Sequence, residues 1–183
     1  MNTPTETELA WAAGFIDGEG CIHVRVSMPT ETSRQRSPHY ALALQVSNTN
    51  RQAIDRIHQM FGFGSVRSHH RENPKWTTAY VWYCMSKNAG TVLRLIQPYV
   101  FAKKAELEVG LEFDALPSGR KGVNRIDPEL LRKRAELCDK LRSLKVGFKY
   151  RKHRWEGSAV LGVTEAKASA NKSNLFGAGE NKI

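Results

Sequence analysis

Apolar and polar positions along the chain follow helical and strand periods in turn, and predict the order helix, strand, strand, helix, strand, strand, helix. A capping box formed by Thr5 and Glu8 predicts a first helix over about 6–18. Alternation with a period of two predicts strands over 21–28 and 39–48, each with one apolar side. The apolar sides of these two strands consist of Ile22, Val24, Val26, Met28, Tyr40, Leu42, Leu44 and Val46.

The second half of the pattern predicts a helix over about 50–61, a hairpin of strands at 64–70 and 77–86, and a helix over 87–97. The next helix is expected to begin at Pro98 and the last clear one at about 127. In the hairpin we expect the core-facing residues to be Val66, Val81, Tyr83 and Met85. Its outward residues would then be Ser65, Arg67, His69, Thr78, Tyr80 and Trp82. The predicted fold class is α+β.

One face of the first helix is nearly bare of side chains. The residues at helical spacing on this face are Ala10, Ala13, Gly14, Asp17 and Gly18. A glycine inside a helix costs about 1 kcal/mol relative to alanine, and close approach of a second helix is one compensation. Asp17 and Glu19 also lie at the helix C-terminus, where acids are disfavoured unless a cation is near. These features predict a paired-helix, metal-binding site.

The segment from Ala12 to Gly20, which reads Ala-Ala-Gly-Phe-Ile-Asp-Gly-Glu-Gly, resembles the LAGLIDADG motif of homing endonucleases position by position. The resemblance covers about residues 6–155 and implies a saddle-shaped antiparallel sheet followed by C-terminal helices. The motif occurs once in this chain. Family members with a single motif pair as homodimers, so the resemblance implies a homodimer with the bare helical face at its interface.

The resemblance also assigns chemistry to the end of this helix. It aligns Glu19 with the acidic metal ligand of the family, places Gly18 in the same metal site, and leaves Asp17 a mainly structural role near the interface. Mg²⁺ is the implied cofactor, since a carboxylate is a hard oxygen ligand. Two Glu19 carboxylates meeting in a dimer would resist joint ionisation, and divalent cations remove that conflict. The implied activity is Mg²⁺-dependent double-strand cleavage of a long, pseudo-palindromic DNA site by an intron-encoded enzyme.

Three further catalytic positions follow from the resemblance. Asn48 matches the strand end where relatives place a polar residue near the attacking water. Arg51 or Gln52 would lie close by, and an uncertainty of one residue in register leaves both open. The segment around Lys103 resembles the family segment whose lysine lies beside the scissile phosphate, where a cation stabilises transition-state charge.

Composition is consistent with a polyanionic partner. The chain has 28 Lys and Arg against 18 Asp and Glu, a net charge of +10, although charge alone does not separate nucleic acid from a membrane surface. No apolar run approaches the roughly 20 residues of a membrane span. Three widely spaced cysteines, Cys21, Cys84 and Cys138, predict reduced thiols and an intracellular location, in a bacterial or phage cytoplasm or an organelle.

We expect double-stranded DNA to contact the polar faces of the strands, the loop after the first strand, and a basic cluster near the C-terminus. The strand-face and loop candidates are His23, Arg25, Ser27, Arg34, Arg36, His39, Gln45, Arg67, His69, Thr78, Tyr80 and Trp82. Arg25 and Arg67 are suited to bidentate contacts with guanine. The phosphate-binding candidates are Lys140, Lys145, Lys149, Arg151 and Lys152. Residues 1–155 are predicted to form the endonuclease domain, and 156–183 a flexible tail rich in Gly, Ala, Ser, Asn and Lys.

Two other functions remain open at this point. A non-catalytic relative, either a DNA-binding regulator or an intron-splicing RNA maturase, would use the same scaffold. A generic basic protein–protein module would explain the charge but not the helix that combines bare glycines with acids. Glu19 and Lys103 favour cleavage, because a protein that only binds has no need of a carboxylate at a helix C-terminus.

Overall fold

The computed structural model describes residues 3–32, 37–69, 77–117 and 127–145, all within one compact unit, Met1–Val146. The predicted tail lies outside the described residues. So do five of the predicted DNA-binding residues, Arg34, Arg36, Lys149, Arg151 and Lys152. No helix in the described ranges combines the length and the apolar character that a membrane span needs.

The helices and strands follow the predicted order, and the α+β fold class is confirmed. The elements are α1 (Glu6–Glu19), β1 (Gly20–Ser27), β2 (His39–Asn48), α2 (Arg51–Phe61), β3 (Ser65–His69), β4 (Ala79–Met85), α3 (Lys87–Ile96), a 3-10 turn (Gln97–Tyr99), α4 (Lys104–Asp114) and α5 (Pro128–Ser143). The expected helix start at Pro98 is wrong. The chain makes a 3-10 turn there, and Val100 is extended before α4 begins.

The four strands form one antiparallel sheet in the order β1-β2-β4-β3. One face of this sheet carries the hydrophobic core, which includes Ile22, Leu42, Leu44 and Val46, each at most 1% exposed. Helices α1, α2, α3 and α4 contribute buried residues to the same core. The opposite face, which we call the outer face, carries the polar alternates of β1 and β2.

The predicted facing of β4 is wrong. Trp82 and Cys84, not the odd-numbered alternates, are buried in the core, with exposures of 0% and 2%. The Trp82 indole N–H donates to the Phe63 carbonyl at 3.0 Å, and its ring stacks on Phe61 with centroids 5.6 Å apart. A buried tryptophan combines a large apolar area with a satisfied polar hydrogen, and this outweighs the alternative facing. Trp82 is therefore removed from the DNA-binding candidates.

Two neighbouring DNA-binding candidates, Tyr80 and Thr78, also lie elsewhere than on the outer face. Tyr80 lies on the core side of β4, two residues from Trp82, where the Arg51 guanidinium lies 5.4 Å from its ring centroid. Thr78 precedes the first residue of β4 and is not on the outer face of a strand. The residues that do lie on the outer face of β4 are Ala79, Val81, Tyr83 and Met85.

Helix α1 passes into β1 without an intervening loop. The predicted capping box is confirmed at its start, where the Glu8 N–H donates to Thr5 Oγ1 at 3.3 Å and the Thr5 N–H donates to Glu8 Oε2 at 2.9 Å. At its end, the backbone of Gly20 is extended, and a Cβ there would lie 2.5 Å from the Ile16 carbonyl oxygen. Only glycine fits this junction without a shift of backbone, so the junction fixes where Glu19 lies.

Candidate functional site

The carboxylate of Glu19 lies at the last residue of α1 and is exposed. Within the described ranges it has no hydrogen bond and no ion pair. A helix C-terminus carries partial negative charge, so the electrostatics of this position favour a bound cation. The sequence predicted both the helix and the acid at its end.

Strand pairing brings Asn48 to the end of the sheet at which α1 ends with Glu19. Gly20 pairs with Val46, so the last two residues of β2 extend beyond the start of β1, alongside the end of α1. The side-chain oxygen of Asn48 accepts the Asn50 N–H at 2.8 Å, just before α2 begins. This bond leaves the Asn48 amide NH₂ group without a protein partner in the described ranges. Its role near the attacking water stays a prediction.

Asp17 joins the end of α1 to the start of α4. The backbone N–H groups of Phe101, Ala102 and Lys103 donate to its carboxylate at 2.7, 3.0 and 3.0 Å. The Lys103 ammonium in turn donates to the Asp17 carbonyl oxygen, at the negative end of α1. We call this set of contacts the Asp17 clamp. It accounts for the delayed start of α4 and brings Lys103 to the helix end that carries Glu19.

The clamp also sets the ionisation of Asp17. Partial burial by itself would raise the pKa of this carboxyl. The three N–H donors, with the nearby charge of Lys103, outweigh that effect, so the pKa of Asp17 lies below its ordinary value. The carboxylate form therefore holds the segment at residues 101–103 in place. The sequence predicted a structural role for Asp17 but gave no sign of a partner 84–86 residues away.

Replacing Asp17 by Asn is expected to lower the free energy of unfolding by about 1–3 kcal/mol at pH 7, because hydrogen bonds to a charged acceptor are lost. A lowered folded pKa stabilises the protein above the unfolded value of about 3.9, and this stabilisation disappears as pH falls through the folded pKa. The difference between wild type and Asp17→Asn, measured by urea unfolding, should thus shrink between pH 5 and the acid limit. Asp139→Asn, which removes an exposed pair with Arg142, is the matched control and should change stability little. An equal loss at pH 7 and at low pH would contradict the clamp.

The two alternatives at the start of α2 differ in their contacts. The Arg51 guanidinium donates to Asp55 at 3.1 Å and lies over Tyr80, which pairs with Asn48 across the strands. Gln52 is exposed, with no described side-chain bond. The placement of Arg51 beside Tyr80, the strand partner of Asn48, favours Arg51, and Gln52 stays the alternative.

The outer face of the sheet carries most of the predicted base-reading residues. Those placed on it are His23, Arg25, Ser27, His39, Gln45, Arg67 and His69. Sequence reasoning missed Tyr83, which pairs with Gln45 and whose ring centroid lies 6.3 Å from that of His23. The adjacent tryptophan, Trp82, was the signal that could have identified Tyr83. A buried Trp82 places the next residue of the strand on the opposite, outer face.

The basic cluster divides into two kinds of residue. Lys145, just after α5, reaches the start of β1, where its Nζ lies 3.0 Å from Cys21 Sγ. A hydrogen bond with His23 lowers the pKa of the Cys21 thiol, burial opposes this, and Lys145 assists, so the pKa reaches about 7. Lys140 instead pairs with Glu112 at 3.5 Å on the side of α4. Lys145 is thus close to the outer face, while Lys140 is held by an acid.

The bare face of α1 is open to solvent, but one of the residues predicted to lie on it is buried. Ala10, Gly14 and Gly18 are exposed, and beyond the adjacent residues and backbone of α1 itself no described atom lies within 4 Å of where a Cβ on either glycine would be. Ala13, however, is fully buried in the chain's own core, as is Ala12, so its assignment to an interface is wrong. The exposed position that completes the open face is Trp11, which is 41% exposed.

The donors at the end of α1 fit a hard divalent cation. They are the free Glu19 carboxylate and the last backbone carbonyls of the helix, including that of Gly18, and oxygen ligands of this kind suit Mg²⁺. Within the described ranges, no three His, Cys, Asp or Glu side chains lie together in a way that could hold a metal. Among the described residues, the end of α1 thus presents the Glu19 carboxylate without a surrounding cluster of ligand side chains, and we expect further ligands from a second copy, a bound phosphate or water.

Comparison with known proteins adds a family match. A model described as LAGLIDADG endonuclease matches residues 12–106, just over half of the chain. DNA endonuclease I-CvuI from Chlorella vulgaris is 26% identical over 150 residues, which cover 81% of this chain and 86% of that protein. The crystal structure of I-CvuI with its target in the presence of Ca has a TM-score of 0.67 at 22% identity, covering 88% of this chain and 95% of that one.

Two other solved structures share the fold. An archaeal intron-encoded homing endonuclease, I-Vdi141I, complexed with DNA, has a TM-score of 0.65 at 17% identity, and the match covers 90% of this chain and 98% of that one. The LAGLIDADG homing endonuclease I-LtrWI, bound to target DNA, has a TM-score of 0.56 at 20% identity. That match covers 71% of this chain but only 42% of the longer one.

Proposed function

The chain belongs to the LAGLIDADG endonuclease family, and on this premise we propose that it is a site-specific homing endonuclease. It acts as a homodimer and makes Mg²⁺-dependent double-strand breaks in a long, pseudo-palindromic DNA site. The observation that carries the proposal is the exposed carboxylate of Glu19 at the end of the motif helix, unpaired among the described residues, with Lys103 held at the same helix end.

Glu19 would hold the divalent cation, together with the Gly18 carbonyl and, in the dimer, the equivalent groups of the second copy. When bound, the cation supplies positive charge that stabilises the transition state of phosphodiester hydrolysis. The protein's own contribution is to hold the Glu19 carboxylate, a hard oxygen ligand, at a fixed position. The position is fixed because α1 passes directly into β1 at Gly20, where the backbone packs closely against Ile16. One carboxylate from each copy gives one symmetric site at which both strands can be cut.

Two polar side chains complete the chemistry. The Asn48 amide orients the attacking water from the end of β2, with Arg51 or Gln52 beside it. The Lys103 ammonium stabilises negative charge on the scissile phosphate. Its hydrogen bond to the Asp17 carbonyl keeps this cation at the helix end before DNA binds, which reduces the reorganisation needed on binding.

The outer face of the sheet binds the DNA groove. A two-stranded ribbon fits the major groove, and the exposed guanidinium groups of Arg25 and Arg67 are suited to guanine O6 and N7. Tyr83 joins the predicted contacts in place of Trp82. Lys145, at the edge of this face, binds backbone phosphate and contributes affinity without sequence information.

The homodimer is supported by the single motif and by relative chain lengths. The chain matches almost all of I-CvuI and less than half of I-LtrWI, as expected if two copies of a short chain correspond to one long one. The open face of α1 provides the surface on which two such helices meet. An isologous pair predicts DNA half-sites related by the same two-fold axis.

The test is incubation of the full chain with the DNA that flanks its own gene, joined without the insert, in the presence of Mg²⁺. We expect cuts in both strands at one site, no cuts with EDTA, and a dimer bound to one duplex. Specific binding by folded protein without cutting would overturn the proposal and favour the regulator. Binding to folded intron RNA without nicking of DNA would favour the maturase.

A further inference from the structure

Phe101 is the most exposed large apolar residue in the described ranges, with 91% of its surface accessible. Its backbone is nevertheless fixed, because its N–H donates to the Asp17 carboxylate at 2.7 Å as the first contact of the Asp17 clamp. Exposing a phenyl ring to water is unfavourable, so covering the ring with a partner is favourable. Because the backbone of Phe101 is already fixed, binding a partner costs little further conformational entropy of the backbone. These are the properties of an anchor residue in an interface.

The position of Phe101 relative to α1 indicates what covers it. Between the exposed glutamates at its two ends, Glu6 and Glu19, the exposed residues of α1 fall within roughly 100° of arc at 3.6 residues per turn. They are Thr7, Ala10, Trp11, Gly14 and Gly18. Asp17 borders this open face on one side, and Phe15 borders it on the other. Phe101 therefore lies along the Asp17 border.

An aromatic pair lies at the other border. The rings of Trp11 and Phe15 stack with centroids 5.4 Å apart and an interplanar angle of 15°. The open face is thus a shallow, bare stripe with Phe101 on one side and this pair on the other. At its centre, a Cβ on Gly14 or Gly18 would meet no described atom within 4 Å other than those of the adjacent residues and backbone of α1. The stripe has room for a second helix of the same kind.

We propose that Phe101 of each copy packs against the Trp11–Phe15 pair of the other copy and anchors the homodimer. The inference rests on the homodimer of the proposed function, in which both Glu19 carboxylates lie at the same end of the paired helices. A two-fold axis that keeps them together runs along the two helices. Such an axis sets the Asp17 border of one α1 beside the Phe15 border of its partner.

The first test compares two truncations by sedimentation. Phe101→Ala is expected to weaken dimerisation by at least about 30-fold, the effect of losing an interface hot spot, while far-UV circular dichroism stays unchanged. Met28→Ala is the matched control, because Met28 is 47% exposed but lies after β1, away from α1's open face. It should leave the dimer unaltered. Equal dimer affinity in Phe101→Ala and wild type would overturn the anchor.

The second test locates the neighbour of Phe101 directly. With p-benzoylphenylalanine at position 101, irradiation of the dimer should give a covalent product of twice the chain mass. Peptide mapping should place the attachment at Trp11 or Phe15. Attachment to DNA, or to another segment of the partner, would overturn the packing while leaving the endonuclease proposal intact. A wild-type chain that is monomeric when it cuts DNA would overturn the anchor and the proposed homodimer together.

Discussion

Replacing Glu19 by Gln is expected to reduce DNA cleavage by about a thousandfold or more while target binding is retained. Glutamine keeps the size of the side chain but loses the negative charge that holds a divalent cation, and metal assistance is worth several kcal/mol of activation free energy. Binding in metal-free buffer should be equal or tighter, because one negative charge beside the phosphates is removed. Single-turnover cleavage and a filter-binding titration on the same preparation measure the two effects.

Two further variants sharpen this result. Glu19→Asp is expected to retain substantial cleavage, since the carboxylate remains on a shorter arm and the family motif has Asp at this position. Glu136→Gln makes the same change of charge on α5, where Glu136 pairs with the exposed Arg132, and should leave cleavage unchanged. Turnover at the wild-type rate in Glu19→Gln would remove Glu19 from the metal site.

Gly14→Leu is expected to have opposite effects on the single chain and on the dimer. In one copy the Cβ of the new side chain meets open space among the described residues, and a better helix former replaces glycine, so the helix itself gains about 0.5–1 kcal/mol. Between two copies the same side chain occupies the seam, and overpacking separates the helices. We expect the dimer to dissociate in sedimentation at micromolar concentration and double-strand cleavage to be lost.

The control for this variant adds a leucine elsewhere. Glu136→Leu places a comparable apolar side chain on an exposed position of α5 and should leave the dimer intact. If Gly14→Leu sediments as the wild-type dimer, the open face of α1 is not the interface. If the single chain of this variant is unfolded, a leucine side chain at position 14 does not fit even in one copy.

Much of the fold is specified locally, and the sequence was sufficient there. The period of two in β1 and β2, the capping box of α1 and the glycine that ends α2 all lie within a few residues of the structure they determine. Glu19 at the end of the motif helix was likewise predicted from its position alone.

Strand β4 shows where such local information ends. Both of its alternating sets, Tyr80, Trp82 and Cys84 against Val81, Tyr83 and Met85, are apolar or aromatic, so alternation did not identify the buried side. The choice was made by packing of Trp82 on Phe61 and by the Phe63 carbonyl that accepts its N–H. Ala13 illustrates the same limit, since a small residue fits a helix seam and a core equally well.

The sequence by itself determined a helix whose C-terminus presents an acid, the order of the elements and the polar face of β1 and β2, because each depends on residues that are neighbours along the chain. Only the tertiary structure decided which face of β4 is buried, where α4 starts and how Lys103 comes to lie at the end of α1. These depend on contacts such as those between Asp17 and Phe101, 84 residues apart. Neither residue carries a local signal of its partner, because the hydrogen bonds use backbone N–H groups that every residue except proline possesses.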